Sequence, residues 1–442
     1  MERLKTESIT SLFLKYLIPS VTGTLSVGVL IFIDTVFIGR GVGSMGLAAL
    51  NTAIPVFTLY SSTGLLLGMG GATAAAIDSG RGNIRGKNKI FSHAVILATG
   101  IGIIFTLLQG IFINGLTGIL GATKTLFPMV KSYLGIISKF TLFYLVPHTL
   151  NAFIRNDGNP NLTMIGMVVC GIINIILDYV FIFIFGWGMA GAALATGLAQ
   201  VAYFLILILH FYSPRNTLRI QRRKFQLETA TRIFRIGFPS FLNDTSMGIA
   251  IFAFNLVLFR IRGDLAVSAY SIILNINFLV YLIFVGISQA CQPLLSINYG
   301  AGNHDRVKET MKLGFLTSAL VAVATIVLLN VFKYPIIRLF NREDMELIGM
   351  AAVGMPIFFS ATLFMGLNII YAILFQAVEN PSVSSLLTFL RGLGLIIAGL
   401  TLLPNILGIN GVWGTPLFAE TITLITALIF YRRFKSKSAN HN

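Results

Sequence analysis

Long apolar segments recur along almost the whole chain, and they restrict the folds that are open to it. Twelve segments of roughly 20 to 30 residues can be marked, and each is long enough to cross a bilayer as a helix. Because backbone amides find no water in the hydrocarbon layer, only helices and closed barrels can span it. Barrel strands are about 10 residues long and alternate in polarity, whereas these segments are longer and continuous. The sequence therefore predicts an all-α polytopic membrane protein with twelve transmembrane helices.

The distribution of charge indicates a membrane topology. Only 11% of the 442 residues are charged, against about 25% in ordinary soluble domains. The formal charge of +16 could suggest a nucleic-acid partner, but the basic residues concentrate on one side of the predicted spans, at Arg3, at Lys5, in the run 215–224 and after Arg432. This bias follows the positive-inside rule and, with an even number of spans, predicts cytoplasmic termini. A lipid bilayer is the expected partner, and nucleic acid is not.

An internal repeat organises the chain. A shift of 220 residues aligns the two halves, with these pairs among the matches: Pro19 and Pro239, Ser20 and Ser240, Gly43 and Gly263, Gly80 and Gly300. Six helices per half give both copies the same orientation, as in secondary transporters built from parallel repeats. The predicted parts are an N-lobe with helices 1–6, a cytoplasmic linker, and a C-lobe with helices 7–12 and a basic tail, at residues 1–214, 215–232 and 233–442. A cleft between the lobes is expected, although duplication that serves only assembly is the alternative.

Acidic side chains inside the first-half spans are candidates for cation binding. Asp34 and Asp178 lie deep in predicted spans, where an ionisable group is costly and usually faces a partner or a wet cavity. Asn174 lies one turn before Asp178 on the same helix face. The short turn after residue 185 brings Thr196 to the same depth. These four residues predict an oxygen cage for Na⁺ or a carboxylate pair that shares a proton. The alternative is that Asp178 only hydrogen-bonds a neighbour such as Tyr133.

Polar and aromatic residues of the second half are candidates for substrate binding. Asp244 could attract an organic cation, while a helix–helix hydrogen bond is an equally open interpretation. The other candidates on the same cleft wall are Asn243, Met247, Phe278, Tyr281 and Gln289, all of which could instead serve packing. Glu420 lies on the last span without an assigned role.

Four stretches together resemble a known family. They are Pro19 followed by IDTVFIGRGVGSMGLAAL, then NDGNPNLTM, INIILDYVFI and GMAGAALATGLAQ. With them the chain resembles the multidrug and toxic compound extrusion (MATE) transporters, in particular their bacterial MepA-like branch. The resemblance covers nearly all of the chain.

The resemblance implies a fold, an activity and a site. It implies two six-helix lobes and efflux of organic, often cationic or amphipathic compounds by alternating access, in exchange for inward Na⁺ or H⁺. The implied cation site comprises Asp34, Asn174, Asp178 and Thr196, supported by Tyr133 and Asn151, while Pro19, which interrupts a helix, marks the bend of the first helix. Some relatives carry a coupling Glu on the seventh helix. That residue has no clear equivalent here, because the nearby acid is Asp244. A monomer in a bacterial cytoplasmic membrane, without any cofactor, is expected.

Two other functions compete with this interpretation. A lipid-linked oligosaccharide flippase of the same superfamily would also have many spans, but it would need a cationic cavity, and the charges seen inside these spans are chiefly acidic. A membrane transferase would need an Asp-rich metal motif, a His/Cys cluster or G-x-S-x-G, and the sequence contains none of them. Cys170 and Cys291 lie in predicted spans and indicate neither a disulfide framework nor a metal cluster.

Overall fold

The computed structural model describes residues 6–221 and 224–439, and for residues 437–439 it describes only the backbone. Arg3, Lys5, Arg222 and Arg223, which contribute to the predicted charge bias, lie outside the described residues, as do both termini. Within the described part of the chain every regular element is a helix.

Seven long helices form the first half of the described chain. Their bounds are α1 Ile9–Gly41, α2 Ser44–Gly80, α3 Ile84–Ile119, α4 Phe127–Ile137, α5 Thr141–Asn156, α6 Pro160–Asp178 and α7 Gly188–Ile208. A 3₁₀ turn at Ser138–Phe140 joins α4 to α5, a π-helical segment at Tyr179–Ile184 extends α6, and a 3₁₀ turn at Leu209–Tyr212 ends α7. Although Pro19 lies inside α1 and is buried, the chain remains helical through it from Ile9 to Gly41.

The second half begins with a helix of unusual length. Its bounds and those of its successors are α8 Leu227–Gly300, α9 His304–Val331, α10 Lys333–Phe340, α11 Met345–Phe359, α12 Thr362–Ala377, α13 Pro381–Phe389, α14 Leu395–Leu407 and α15 Ile409–Ala439, with a π-helical segment at Leu390–Gly394 between α13 and α14. The 74-residue α8 is broken at Gly263, where φ is 64° and ψ is −151°. Gly43 between α1 and α2 has nearly the same conformation, with φ 88° and ψ −168°. Glycine adopts this backbone region without steric cost, so the aligned glycines mark the same turn in both halves.

The number of spans agrees with the sequence. Ten continuous helical segments of the described residues are long and apolar enough to cross a membrane, with α4 and α5 forming one of them and α13 and α14 another. The pair α11 and α12, bent by 41°, adds a further span. Because α8 contains two helices separated at Gly263, the total is twelve.

Contacts divide the chain into two compact units. The first holds the described residues through Phe241 together with Ser296–His304, and the second holds Leu242–Leu295 and the described residues from Asp305 onward. The first turns of α8 pack closely on α2. A Cβ atom at Gly70 would overlap the backbone oxygen of Ile233, and a Cβ atom at Gly237 would overlap that of Leu66, so this contact requires glycine. This close packing explains why the start of α8 groups with the first unit.

The segment that follows α7 is held on the first unit by side chains of α3. Asn88 Oδ1 accepts a hydrogen bond from the Arg219 amide (3.0 Å), and Ser92 Oγ accepts one from the Gln221 amide (2.8 Å). Asp157 anchors the start of this segment, accepting hydrogen bonds from Lys87 Nζ (2.8 Å) and the Thr217 amide (2.7 Å). The described part of this segment is therefore held on the first unit at Thr217, Arg219 and Gln221 and is not a free tether there.

Candidate functional site

The first unit brings four of the predicted cation-site residues together. Asp34 of α1 and Asp178 at the end of α6 are close enough to interact directly, and Asn174 also interacts with Asp178. Asn174 Nδ2 donates to Thr196 Oγ1 of α7 over 3.3 Å. The reason is local: Asn174 and Asp178 share one helix face, and the turn between α6 and α7 returns the chain antiparallel at the same depth.

The helix geometry changes at Asp178. The helix becomes π-helical from Tyr179 to Ile184, immediately after the carboxylate, and single π-helical turns are common at functional sites. Phe37, one turn beyond Asp34, contacts Phe183 edge-on with ring centroids 5.5 Å apart. This aromatic contact fixes α1 against the π-helical segment beside the two acids.

Two tyrosines complete the cluster. Tyr133 of α4 is buried, and it lies within electrostatic reach of both acids and close to Thr196. Tyr144 of α5 also lies within electrostatic reach of both acids, and its hydroxyl has no hydrogen-bond partner in the described part of the chain. The sequence interpretation missed Tyr144. Its position after the short α4–α5 connection, eleven residues beyond Tyr133, was the only available signal.

Three of the four carboxylate oxygens at this site lack a hydrogen-bond partner in the described part of the chain. Among the described residues, Asp34 Oδ1 and both oxygens of Asp178 are buried without a hydrogen bond. The charged group that interacts with Asp34 is Asp178, and the one that interacts with Asp178 is Asp34. Burying a charged or polar group without a partner is costly. The cluster is therefore suited to hold a proton or a small cation that binds hard oxygen ligands. No group of three His, Cys, Asp or Glu side chains that could hold a metal ion occurs in the described residues.

Asn151 hydrogen-bonds with Tyr203 and Arg155. Its Nδ2 donates to the Tyr203 hydroxyl, and its Oδ1 accepts from Arg155 Nη1 over 3.2 Å. Arg155 also reaches Met69 Sδ at 3.4 Å and is buried. These contacts join Asn151 to side chains of α2, α5 and α7.

In the second unit, three of the predicted substrate-wall residues join a charged cluster. Tyr281 lies within electrostatic reach of Asp244, Arg391 and Glu420, and its hydroxyl accepts a hydrogen bond from Asn243 Nδ2. The remaining wall residues, Met247, Phe278 and Gln289, are half-buried on α8.

The expectation that charges inside the spans are chiefly acidic is wrong for this cluster. Arg391 Nη2 lies 2.9 Å from Glu420 Oε1, and the two side chains are 8% and 6% exposed. Glu420, which had no assigned role, is thus half of a buried ion pair. The signal was present in the sequence, since Arg391 interrupts the apolar segment SLLTFLRGLGLIIAGL.

Fold and site together define a multi-pass helical membrane protein with a duplicated plan and buried acids. The family model described as MatE matches residues 19–180 and 239–400, two ranges that start 220 residues apart, the same shift that aligns the halves of the sequence. The chain therefore belongs to the MatE family of multidrug efflux transporters. It is a transporter and not an enzyme, and transporters of this family need no cofactor.

A curated relative agrees with this assignment, and solved structures share the fold. The chain is 26% identical over 414 residues to the multidrug export protein MepA of Staphylococcus aureus, covering 93% of this chain and 91% of the relative. Its fold is similar to the outward-facing conformation of a multidrug resistance MATE family transporter, with TM-score 0.93, 23% identity, and coverage of 99% and 98%. A MOP superfamily transporter from Pyrococcus furiosus has TM-score 0.92 at 22% identity, covering 99% of this chain and 98% of its own.

Proposed function

We propose that the chain exports organic compounds in exchange for an inward-moving Na⁺ or H⁺, and that Asp34 and Asp178 bind the coupling ion. The observation that carries this proposal is the neighbouring pair of carboxylates, half-buried Asp34 and buried Asp178, in which Asp34 Oδ1 and both Asp178 oxygens have no hydrogen-bond partner in the described residues. Asn174, Thr196 and Tyr133 supply the neutral groups around them. Two adjacent carboxylates without a basic partner cannot both keep an uncompensated charge in a low-dielectric interior, so they require a bound cation or proton.

The ion would drive export through alternating access. A ligand shifts a conformational equilibrium only by its difference in affinity for the two states. In this proposal the outward-facing state binds the cation at Asp34 and Asp178 while it releases the substrate, and the inward-facing state releases the cation. Pro19, in the middle of α1, is the proposed hinge for the movement of that helix.

The energetics limit the stoichiometry. One monovalent cation that moves inward gains about 2.3 kcal/mol per 100 mV of membrane potential, and about 1.4 kcal/mol per tenfold concentration ratio. If a singly charged organic cation leaves for each ion, the electrical contributions cancel and only the concentration gradient remains. Strong accumulation gradients of cationic substrates therefore require two ions per substrate.

The proposed setting is a bacterial cytoplasmic membrane, with both termini on the cytoplasmic side and the transporter acting as a monomer. The bacterial MepA relatives support the bacterial membrane, and the basic run 215–224 supports the orientation. Organic cations or amphipathic compounds are the proposed substrates.

Dye efflux tests the proposal. Cells that express the chain are loaded with a fluorescent organic cation, and efflux is followed while external Na⁺ and pH are varied separately. Asp34→Asn and Asp178→Asn should each abolish ion-dependent efflux without loss of membrane insertion, whereas Asp264→Asn, which changes an exposed acid, should transport normally. Normal ion-dependent efflux by both variants would remove the two acids from the mechanism.

A further inference from the structure

A cavity of about 390 Å³ lies between α3, α5 and α7 of the first unit. Its lining is apolar except for Thr99, and the segment that follows α7 contributes Ile220 to it. Cavities of roughly 300 to 1,000 Å³ hold organic ligands, so this one has room for part of a lipid. The aromatic side chains of its wall are Phe91, Phe143, Phe204 and Phe211.

The cavity is longer than it is wide. Phe91 and Thr99, both on its wall, are eight residues apart on α3, which is about 12 Å along a helix. Beyond Thr99 the helices α3 and α5 converge, since a Cβ atom at Gly102 would lie 3.3 Å from the Cα atom of Leu142. At the other end Phe91 contacts Phe211, with ring centroids 6.0 Å apart. The cavity therefore runs along the helices, from the segment that follows α7 toward the convergence of α3 and α5.

The segment that follows α7 holds Ile220 at the cavity without burying it. The amides on either side of Ile220, those of Arg219 and Gln221, donate to side chains of α3, so the backbone there is fixed. The Ile220 side chain is nevertheless 69% exposed. Tyr212 and Phe225, near the two ends of the segment, are 84% and 50% exposed. Exposed apolar and aromatic side chains on a basic segment are typical of the membrane–water interface.

The same segment is positively charged. Residues 213–226 include five Arg or Lys and no Asp or Glu, and the described ones, Arg215, Arg219 and Lys224, are exposed. Asp157, which anchors the segment, is buried and paired with Lys87. A basic residue, Arg219, thus directly precedes the Ile220 that lines the cavity.

An apolar cavity beside a basic segment matches the two parts of an anionic phospholipid. An acyl chain gains free energy when its methylene groups leave water or fill an apolar site, and basic residues at the membrane surface attract anionic headgroups. An organic cation suits the site poorly, because the described wall contains no acidic side chain and the adjoining segment is basic.

We propose that this cavity binds an acyl chain of one anionic phospholipid, whose phosphate is held by Arg219 and the neighbouring basic residues of segment 213–226. The bound lipid connects α3, α5 and α7 to the segment that joins the two sequence repeats. Neither Asp34 nor Asp178 lines the cavity, and the inference does not depend on the identity of the coupling ion.

Two lipids with different headgroups test the site. The purified full chain, delipidated in detergent, is titrated with dioleoyl phosphatidylglycerol or dioleoyl phosphatidylcholine, and native mass spectrometry counts the lipids bound. The first phosphatidylglycerol should bind at least about fivefold more tightly than the first phosphatidylcholine, the effect of one basic residue on an anionic lipid. Equal affinities would mean annular lipid only and would overturn the proposal, as would displacement of phosphatidylglycerol by equimolar inorganic phosphate.

A charge variant locates the headgroup. Arg219→Gln should weaken the first phosphatidylglycerol about fivefold and leave phosphatidylcholine unchanged. Arg262→Gln, which removes an exposed arginine of the second unit, should bind both lipids as the wild type does. Because both arginines are exposed, the two variants should fold alike. Equal effects of the two substitutions would contradict the assignment.

A cavity-filling variant locates the acyl chain. Thr99→Phe places a larger side chain in the cavity and should weaken the first bound lipid at least about tenfold for both headgroups, the effect of a few displaced methylene groups. Ile96→Phe, which enlarges an exposed side chain of α3 outside the cavity wall, is the matched control and should bind as the wild type does. Undiminished binding by folded Thr99→Phe would place the lipid elsewhere.

Discussion

Asn174 and Thr196 are joined by a hydrogen bond from Nδ2 to Oγ1, 3.3 Å long, which ties α6 to α7 beside Asp178. The two residues are 22 positions apart, and Thr196 Oγ1 itself donates to the Ala192 carbonyl at 2.9 Å. This arrangement holds the Asn174 amide at the acid pair, so its loss should affect the binding of the coupling ion before it affects the fold.

Thr196→Val should weaken binding of the coupling ion while leaving the fold intact. Valine has the shape of threonine but cannot accept from Asn174, so the ion concentration for half-maximal efflux should rise about 5- to 10-fold, the effect of one hydrogen bond. Thr423→Val is the matched control, because buried Thr423 also donates to the carbonyl four residues earlier, at 2.8 Å, but lies in the second unit. Equal effects of the two substitutions would assign Thr196 a packing role only.

Asp178→Asn should raise thermal stability while it abolishes coupling. The change removes a buried carboxylate whose oxygens have no partner in the described residues, and functional sites commonly retain groups that cost stability. An increase of a few degrees in melting temperature is expected for the purified chain, measured without Na⁺ near neutral pH. Exposed Asp264→Asn should leave the melting temperature unchanged. A lower melting temperature for Asp178→Asn would show that the acid has a stabilising structural partner.

Acid should loosen the segment that follows α7. Burial would raise the pKa of Asp157, but hydrogen bonds from His210 and Lys87 outweigh it and hold this pKa below its usual value, which is about 3.9. A carboxyl group whose pKa is lower in the folded state stabilises the fold above its unfolded pKa, and this contribution is lost as the pH falls through the folded value. The wild type should therefore lose this contribution below about pH 4.

Comparison with Asp157→Asn isolates this contribution. At pH 7 the variant should be less stable by about 3 kcal/mol, since it breaks a buried pair with Lys87, and the difference should shrink toward pH 3. Melting curves at pH 3 to 7 measure it. Asp305→Asn, which disrupts an exposed pair with Lys308, should show no such convergence. A difference that stays constant with pH would mean that Asp157 acts through shape and not through charge.

Glycines at the contact of α2 with the start of α8 should not tolerate alanine. A Cβ atom at Gly70 would overlap the carbonyl oxygen of Ile233, and backbone cannot move aside as a flexible side chain can. Gly70→Ala should cost a few kcal/mol and reduce the yield of folded protein. Gly100→Ala, in α3 with open space around it, should be neutral or stabilising by about 0.5 to 1 kcal/mol. Fluorescence-detected size-exclusion chromatography of both variants checks the contrast.

The sequence alone determined the membrane class, the number of spans and the repeat. The length of an apolar segment decides whether it can cross a bilayer, and this property does not depend on neighbouring helices. Gly43 and Gly263 illustrate the same point for the repeat, since the backbone conformation that each adopts is one that favours glycine in any context.

The first-unit acids were found by the same local reasoning, because Asn174 and Asp178 share a face of one helix and a short turn fixes the depth of Thr196. Tertiary structure decided the partners that depend on how helices rotate and pack. Asn151 bonds with Tyr203, 52 positions away, and Arg391 pairs with Glu420, 29 positions away. Spacing along the chain gives the depth of a side chain in the membrane, but the direction in which it points relative to a distant helix is set by packing.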